Sequence, residues 1–224
     1  MKKVGLLLSG CGFNDGSEIH ESVISMLALD RAGVETVIMA PNIDQMHVVN
    51  HYTGQEMDEF RNVLVESSRI ARGNIKDMAE VTGNDLDALI IPGGFGVAKN
   101  LSDYAMAGPD CSVNPDVYRL VSEIYLLKKP IGAICIAPVM MAKIFGEQDE
   151  SAEMTIGSDE LTSKDINTMG SKHIKCLVSE IIIDKEKKIV TTPAYMEAGS
   201  IKEAAEGIEK LVKEQYPDII GVID

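Results

Sequence analysis

The feature that most constrains this chain is a set of short, uninterrupted apolar runs, each stopped by a glycine, a proline or a small-residue turn. Four stand out: residues 4–8, Glu35–Ala40, Ala88–Ile91 before Pro92-Gly93-Gly94, and residues 131–136. A strand with one wet face alternates apolar and polar side chains. A continuous run is buried on both faces, as strands of a parallel sheet are. Helical spacing fills the intervals. Residues 17–32 carry Ile19, Val23, Met26, Leu27 and Leu29 and end at Ala32-Gly33, and residues 62–71 and 115–127 show the same periodicity. Strand and helix in alternation imply an α/β fold: a doubly wound parallel sheet with helices on both faces, a flavodoxin-like three-layer sandwich.

Two stretches depart from that plan. Residues 47–57 alternate around Thr53-Gly54 and predict a β-hairpin insertion after the second strand, which leaves His47 and His51 as surface residues. Residues 102–114, rich in Asp, Gly, Ser and Pro, read as a surface loop. Residues 176–184 and 188–192 flank Lys185-Glu186-Lys187 and predict a second, antiparallel hairpin, followed by a helix over Ile201–Gln215. No linker or repeat divides the chain, so residues 1–224 are expected to form one domain. Met1-Lys2-Lys3 and the apolar run after it mimic a signal peptide, but the run is too brief and turns at Ser9-Gly10-Cys11-Gly12. The expectation is a first strand in an intracellular, cytoplasmic protein.

Charge and cysteine usage narrow the partners. With 21 Lys and Arg against 35 Asp and Glu, the net charge of −14 repels phosphate backbones and anionic headgroups, so neither nucleic acid nor a membrane surface is expected to bind. Cys11, Cys111, Cys135 and Cys176 are scattered without CxxC spacing, which predicts reduced thiols. His20-Glu21 suggests a zinc helix, but Ile24 stands where the second histidine is needed, and no metal site is expected. Gly94-Phe95-Gly96 lacks the third glycine of a dinucleotide fingerprint, because position 99 is lysine.

The most informative stretch is Gly132-Ala133-Ile134-Cys135-Ile136-Ala137-Pro138. A buried strand runs into a cysteine, and a helix then starts where proline fits its first turn. Small residues two before and two after the thiol allow a sharp strand-to-helix turn. Such an elbow presents Cys135 at a helix N-terminus, where the dipole and free N–H groups favour thiolate. The alternative is a small core cysteine. Gly93 and Gly94 close the neighbouring strand at the same sheet edge, as oxyanion donors or as a plain tight turn. Glu18 and Glu21 lie at the start of the first helix with Ser17 as N-cap, suited to capping or to proton transfer beside the thiol.

With these stretches in view, the chain resembles the PfpI-like superfamily on the class I glutamine amidotransferase-like fold. It looks most similar to the ElbB branch, the enhancing lycopene biosynthesis or isoprenoid biosynthesis proteins. The blocks GCGFNDGSEIHE, IPGGFGVAKNL, GAICIAP and IVTTPAYM carry the resemblance along essentially the whole chain. It implies an elbow nucleophile at Cys135 and a glutamate partner at Glu21, counted back from Arg31-Ala32-Gly33, with Glu18 as the alternative. Gly93, Gly94 and the backbone of Ile136 are the implied oxyanion or substrate-binding groups. Proteases and amidotransferases of this fold place histidine directly after the nucleophile, and here that residue is Ile136. His20 and His173 are secondary candidates for the missing base.

The resemblance implies a cofactor-free glyoxalase acting on a small aldehyde or dicarbonyl, glyoxal to glycolate through a cysteine hemithioacetal. A non-catalytic redox-sensing or ligand-binding thiol is the alternative, and an amidotransferase-like hydrolase ranks lower for want of the histidine. Relatives of this fold pair, so a homodimer is expected.

Overall fold

The computed structural model describes residues 1–215. The elements in order are β1 Lys3–Leu7, α1 Ile19–Arg31, β2 Glu35–Ala40, β3 Val49–Asn50, β4 Gln55–Glu56, α2 Val63–Ile70, β5 Lys76–Asp77, β6 Ala88–Ile91, α3 Tyr104–Ala107, α4 Pro115–Leu126, β7 Ile131–Ile134, α5 Ala137–Glu147, β8 Glu153–Met154, α6 Glu160–Thr168, β9 Lys172–His173, β10 Ile182–Asp184, β11 Ile189–Thr192 and α7 Ile201–Gln215. Seven strands form the central sheet in the order β10-β11-β7-β6-β1-β2-β5, parallel except for β10 at one edge. The doubly wound α/β architecture expected from the apolar runs is therefore present.

Alternation along the strands divides the core into two layers. Leu7, Leu89, Ile91, Ile131 and Ala133 pack with α4 and α5 residues such as Leu120, Ile124, Met140 and Phe145. Val4, Leu6, Ala88, Ile90 and Ile134 face the other side, toward Leu29 of α1 and Ala204, Ile208 and Leu211 of α7. Among the described residues, no helix is long and apolar enough to cross a membrane.

Several boundaries differ from the sequence reading for local reasons. The insertion after β2 is a hairpin as expected, but its ladder is confined to β3 and β4. The late hairpin is shorter too, since residues 176–181 do not join the ladder of β10 and β11. The loop at 102–114 contains α3 and a 3-10 turn, Gly108–Asp110. Ser17 is not the N-cap of α1. Its buried hydroxyl accepts the N–H of Ser9 at 2.8 Å, and Glu18 takes the capping role by accepting the N–H of Glu21 at 2.7 Å.

The segment after β1 is bound to the segment after β6. Glu18 N–H donates to the Gly93 carbonyl (2.9 Å), Phe95 N–H to Phe13 (2.7 Å) and Gly96 N–H to Gly16 (2.9 Å). Residues 97–101 form a π-helical turn, a form often found near functional sites. From it Asn100, 6% exposed, donates to the carbonyls of Ser9 (2.8 Å) and Asp15 (2.9 Å) and accepts Met46 N–H (3.0 Å). These bonds set the relative position of the two loops. Asn100→Ala strands the buried Ser9 and Asp15 carbonyls and is expected to cost about 2–3 kcal/mol in urea unfolding. A loss below about 0.5 kcal/mol, the range of an ordinary surface change, would show that the asparagine does not hold them.

Candidate active site

The chain leaves β7 at Ile134, and Cys135 takes a φ of +61°, a left-handed conformation disfavoured for residues with a Cβ. The turn is fixed from both sides: Cys135 N–H donates to the Thr192 carbonyl at 3.0 Å, while Ile136 caps α5 and Pro138 sits in its first turn. Ala133 and Ala137 are fully buried around it. This is the strand-to-helix elbow anticipated from the small residues flanking the thiol.

Glu21, on the first turn of α1, is 0% exposed. Its Oε2 accepts Gly93 N–H at 2.8 Å, its Oε1 accepts Tyr195 N–H at 3.2 Å, and its carboxyl also hydrogen bonds the Cys135 thiol. Gly93 lies between the two side chains. A Cβ built on it would stand 2.4 Å from Cys135 Cβ, 2.9 Å from Sγ and 2.9 Å from Glu21 Oε2, so no larger residue fits without separating the pair. Gly94 has φ +97°, and a Cβ there would meet Glu18 N and Gly16 O at 2.4 Å.

The backbone donors divide their roles. Gly93 was expected among the oxyanion donors, but its N–H is committed to Glu21. The amides of Gly94 and Ile136 point at the thiol. The thiol itself departs from the sequence expectation of a thiolate. Burial and the neighbouring Glu21 charge push it well above the ordinary thiol range, against the amides and the helix end. Burial, with Glu18 adding to it, likewise raises the Glu21 carboxyl to about 8, so it holds its proton at neutral pH.

Cys135, 7% exposed, opens onto a cavity of about 860 Å³. Gly94 and Ile136 line it beside the thiol, with Glu18 and His20 from the α1 end and Phe13, Phe95, Tyr104, Leu161, Tyr195 and Met196 forming much of the wall. His20 Nδ1 lies 2.9 Å from Tyr195 Oη and 3.9 Å from Glu18 Oε1. His173 is not part of this wall. Its Nε2 accepts Ile156 N–H and lies near Ser163 Oγ, both at 3.3 Å, and burial lowers its pKa; its place outside the wall, and not that pKa, argues against it as a base for Cys135. Tyr195 was not singled out from the sequence, although it lies in the IVTTPAYM block. Its signal is the strained neighbour Ala194 (φ +42°), which turns the Tyr195 amide toward Glu21. Among the described residues, no group of three or more His, Cys, Asp or Glu is placed to hold a metal ion.

The profile described as the DJ-1/PfpI family matches residues 11–192. The ES1 protein homolog, mitochondrial, of Rattus norvegicus is 43% identical over 94% of this chain and 82% of its own length. The human glutamine amidotransferase-like class 1 domain-containing protein 3, mitochondrial, is 43% identical over 94% and 81%. A crystal structure of an isoprenoid biosynthesis protein with amidotransferase-like domain from Ehrlichia chaffeensis superimposes with a TM-score of 0.91 at 37% identity, covering 97% of this chain and 99% of that one. The mitochondrial assignment of both curated relatives overturns the expectation of a cytoplasmic protein, which had rested on the brief apolar run and its turn at Ser9-Gly10-Cys11-Gly12.

The raised carboxyl pKa makes stability pH-dependent. Unfolded, Glu21 loses its proton near its ordinary value of 4.5; folded, near 8. The stabilisation from holding that proton is complete below the lower value and is lost as pH rises through the upper one. Relative to Glu21→Gln, the wild type is expected to lose stability by up to about 1.4 kcal/mol per pH unit between about pH 5 and 8. Urea unfolding across that range checks it, and a difference independent of pH would contradict the raised value.

Proposed function

The chain belongs to the DJ-1/PfpI family, and we propose that within it this protein is a cofactor-independent glyoxalase of the ElbB-like branch, converting a small dicarbonyl to a hydroxy acid. The observation that carries the reading is the buried Glu21 carboxyl hydrogen bonded to the Cys135 thiol, with the Gly94 and Ile136 amides aimed at the sulfur. The branch assignment is supported by the name and the 37% identity of the Ehrlichia chaffeensis protein.

The carboxylate form of Glu21 takes the S–H proton, and the sulfur adds to an aldehyde carbon. The C=O electron pair moves to oxygen, where the two amides stabilise the alkoxide. Glu21 returns its proton to that oxygen and, again a carboxylate, removes hydrogen from the same carbon. The proton is delivered to the adjacent carbon, the hydroxyl proton on the sulfur-bearing carbon passes to the neighbouring oxygen, and the enediolate becomes a 2-hydroxy thioester. Water, deprotonated by Glu21, attacks the thioester and expels the thiolate, which regains the proton. The sum for glyoxal is addition of one water to give glycolate and a proton, with no external oxidant or reductant. One group serves every transfer, so a histidine at position 136 is not required.

The hydrolase alternative is disfavoured by the cavity. Glutamine needs a cationic partner for its carboxylate, and no lysine or arginine lines the wall. A sensing role without turnover is disfavoured because the thiol is held mostly protonated, while oxidant-sensing cysteines are low-pKa thiolates.

Glyoxal turnover, followed as glycolate formed, tests the reading. Cys135→Ala is expected to abolish it, and Glu21→Gln to lower kcat by about 10²–10⁴-fold. Because Glu21 must be unprotonated to begin, kcat/KM should rise about tenfold per pH unit up to about 8 and then level. Full turnover by Cys135→Ala, or a pH-independent rate, would end this account.

A further inference from the structure

The cavity at Cys135 is built for more than glyoxal. Its volume of about 860 Å³ falls in the range of sites that enclose drug-sized ligands, and a two-carbon dicarbonyl leaves most of it empty. The wall beyond the thiol presents carbon rather than hydrogen-bonding groups. Tyr104 Oη donates to Asp165 Oδ2 at 2.7 Å, and Tyr195 Oη is paired with His20 Nδ1 at 2.9 Å, so both phenols offer their ring surfaces to the space. Phe95 and Leu161 remain 49% and 72% exposed, and the Lys99 ammonium lies 5.3 Å from the centroid of the Phe95 ring. The ionisable residues in the wall include Glu18 and Asp159 but no lysine or arginine, and Lys99 beside Phe95 donates to the Asn14 carbonyl at 2.8 Å, which together disfavour an anionic occupant and favour departure of a carboxylate product.

We infer that the preferred substrate is a neutral α-oxo aldehyde bearing an aryl or branched-alkyl substituent, seated against Phe95, Tyr104 and Leu161 while its aldehyde carbon meets Cys135. This rests on the glyoxalase reading and deepens it. The balance is unchanged: R–CO–CHO and water give R–CHOH–COO⁻ and a proton, the hydrogen moving from the aldehyde carbon to its neighbour. The substituent takes no part in bond making. It adds apolar contact that persists in the transition state and so raises kcat/KM.

The test compares kcat/KM for glyoxal, methylglyoxal and phenylglyoxal in the wild type and in Leu161→Asp, a substitution at an exposed position of α6 that leaves the core intact. Phenylglyoxal, read as mandelate formed, is expected to exceed glyoxal by at least about tenfold, with methylglyoxal between them. Leu161→Asp should reduce the phenylglyoxal-to-glyoxal ratio by a similar factor; reference to the ratio cancels intrinsic aldehyde reactivity and any general loss of active protein. If glyoxal is turned over as well as phenylglyoxal and the ratio is unmoved in the variant, the substrate assignment falls and the glyoxalase reading stands. If none of the three is turned over by folded protein, both fall.

Discussion

The contact between a buried carboxyl and a buried thiol is the constraint on which the rest of this structure depends. Burying Glu21 without partners would cost several kcal/mol. Two backbone N–H groups and the thiol of Cys135 offset that cost, and they come from segments remote in sequence: Gly93 after β6, Tyr195 after β11, Cys135 after β7. The parallel sheet brings the ends of those strands to one edge. Gly93 then lets the chain pass between the side chains where a Cβ would collide with both.

The same contact sets the chemistry. Burial opposes ionisation of both groups, and the Glu21 charge further opposes that of the thiol, so the site holds its protons at neutral pH and gains reactivity by passing one between carboxyl and sulfur. Such a pair suits an aldehyde, which is electrophilic enough to accept a thiol whose proton is removed as addition proceeds. It suits an amide poorly, because an amide carbonyl is far less electrophilic and needs a thiolate that is already activated before attack. Ile136 in place of histidine agrees with that division.

Much of this was legible in the sequence because it follows from local rules. Continuous apolar runs marked the buried strands, and small residues around Cys135 with proline just beyond marked the elbow. Other features depend on distant partners and left no local trace. Ser17 has the residue type of an N-cap, yet Ser9 claims its hydroxyl and Glu18 caps instead. A cysteine at a helix N-terminus reads as a thiolate until burial, and then a carboxylate from another helix, are set against it. Gly93 reads as an oxyanion donor until Glu21 takes its N–H. The cavity wall draws on α3 and α6, one hidden in an apparent loop and the other too polar to reveal its period.

The most direct measurement is the ionisation of Cys135 itself, followed by thiolate absorbance in protein whose Cys11, Cys111 and Cys176 are replaced by serine, with Glu21 present and as Glu21→Gln. The account predicts a midpoint above the ordinary thiol value of about 8.5 with Glu21 in place, and a lower midpoint when the carboxylate is removed. A midpoint well below about 8.5 with Glu21 present, or one that the substitution does not move, would contradict it.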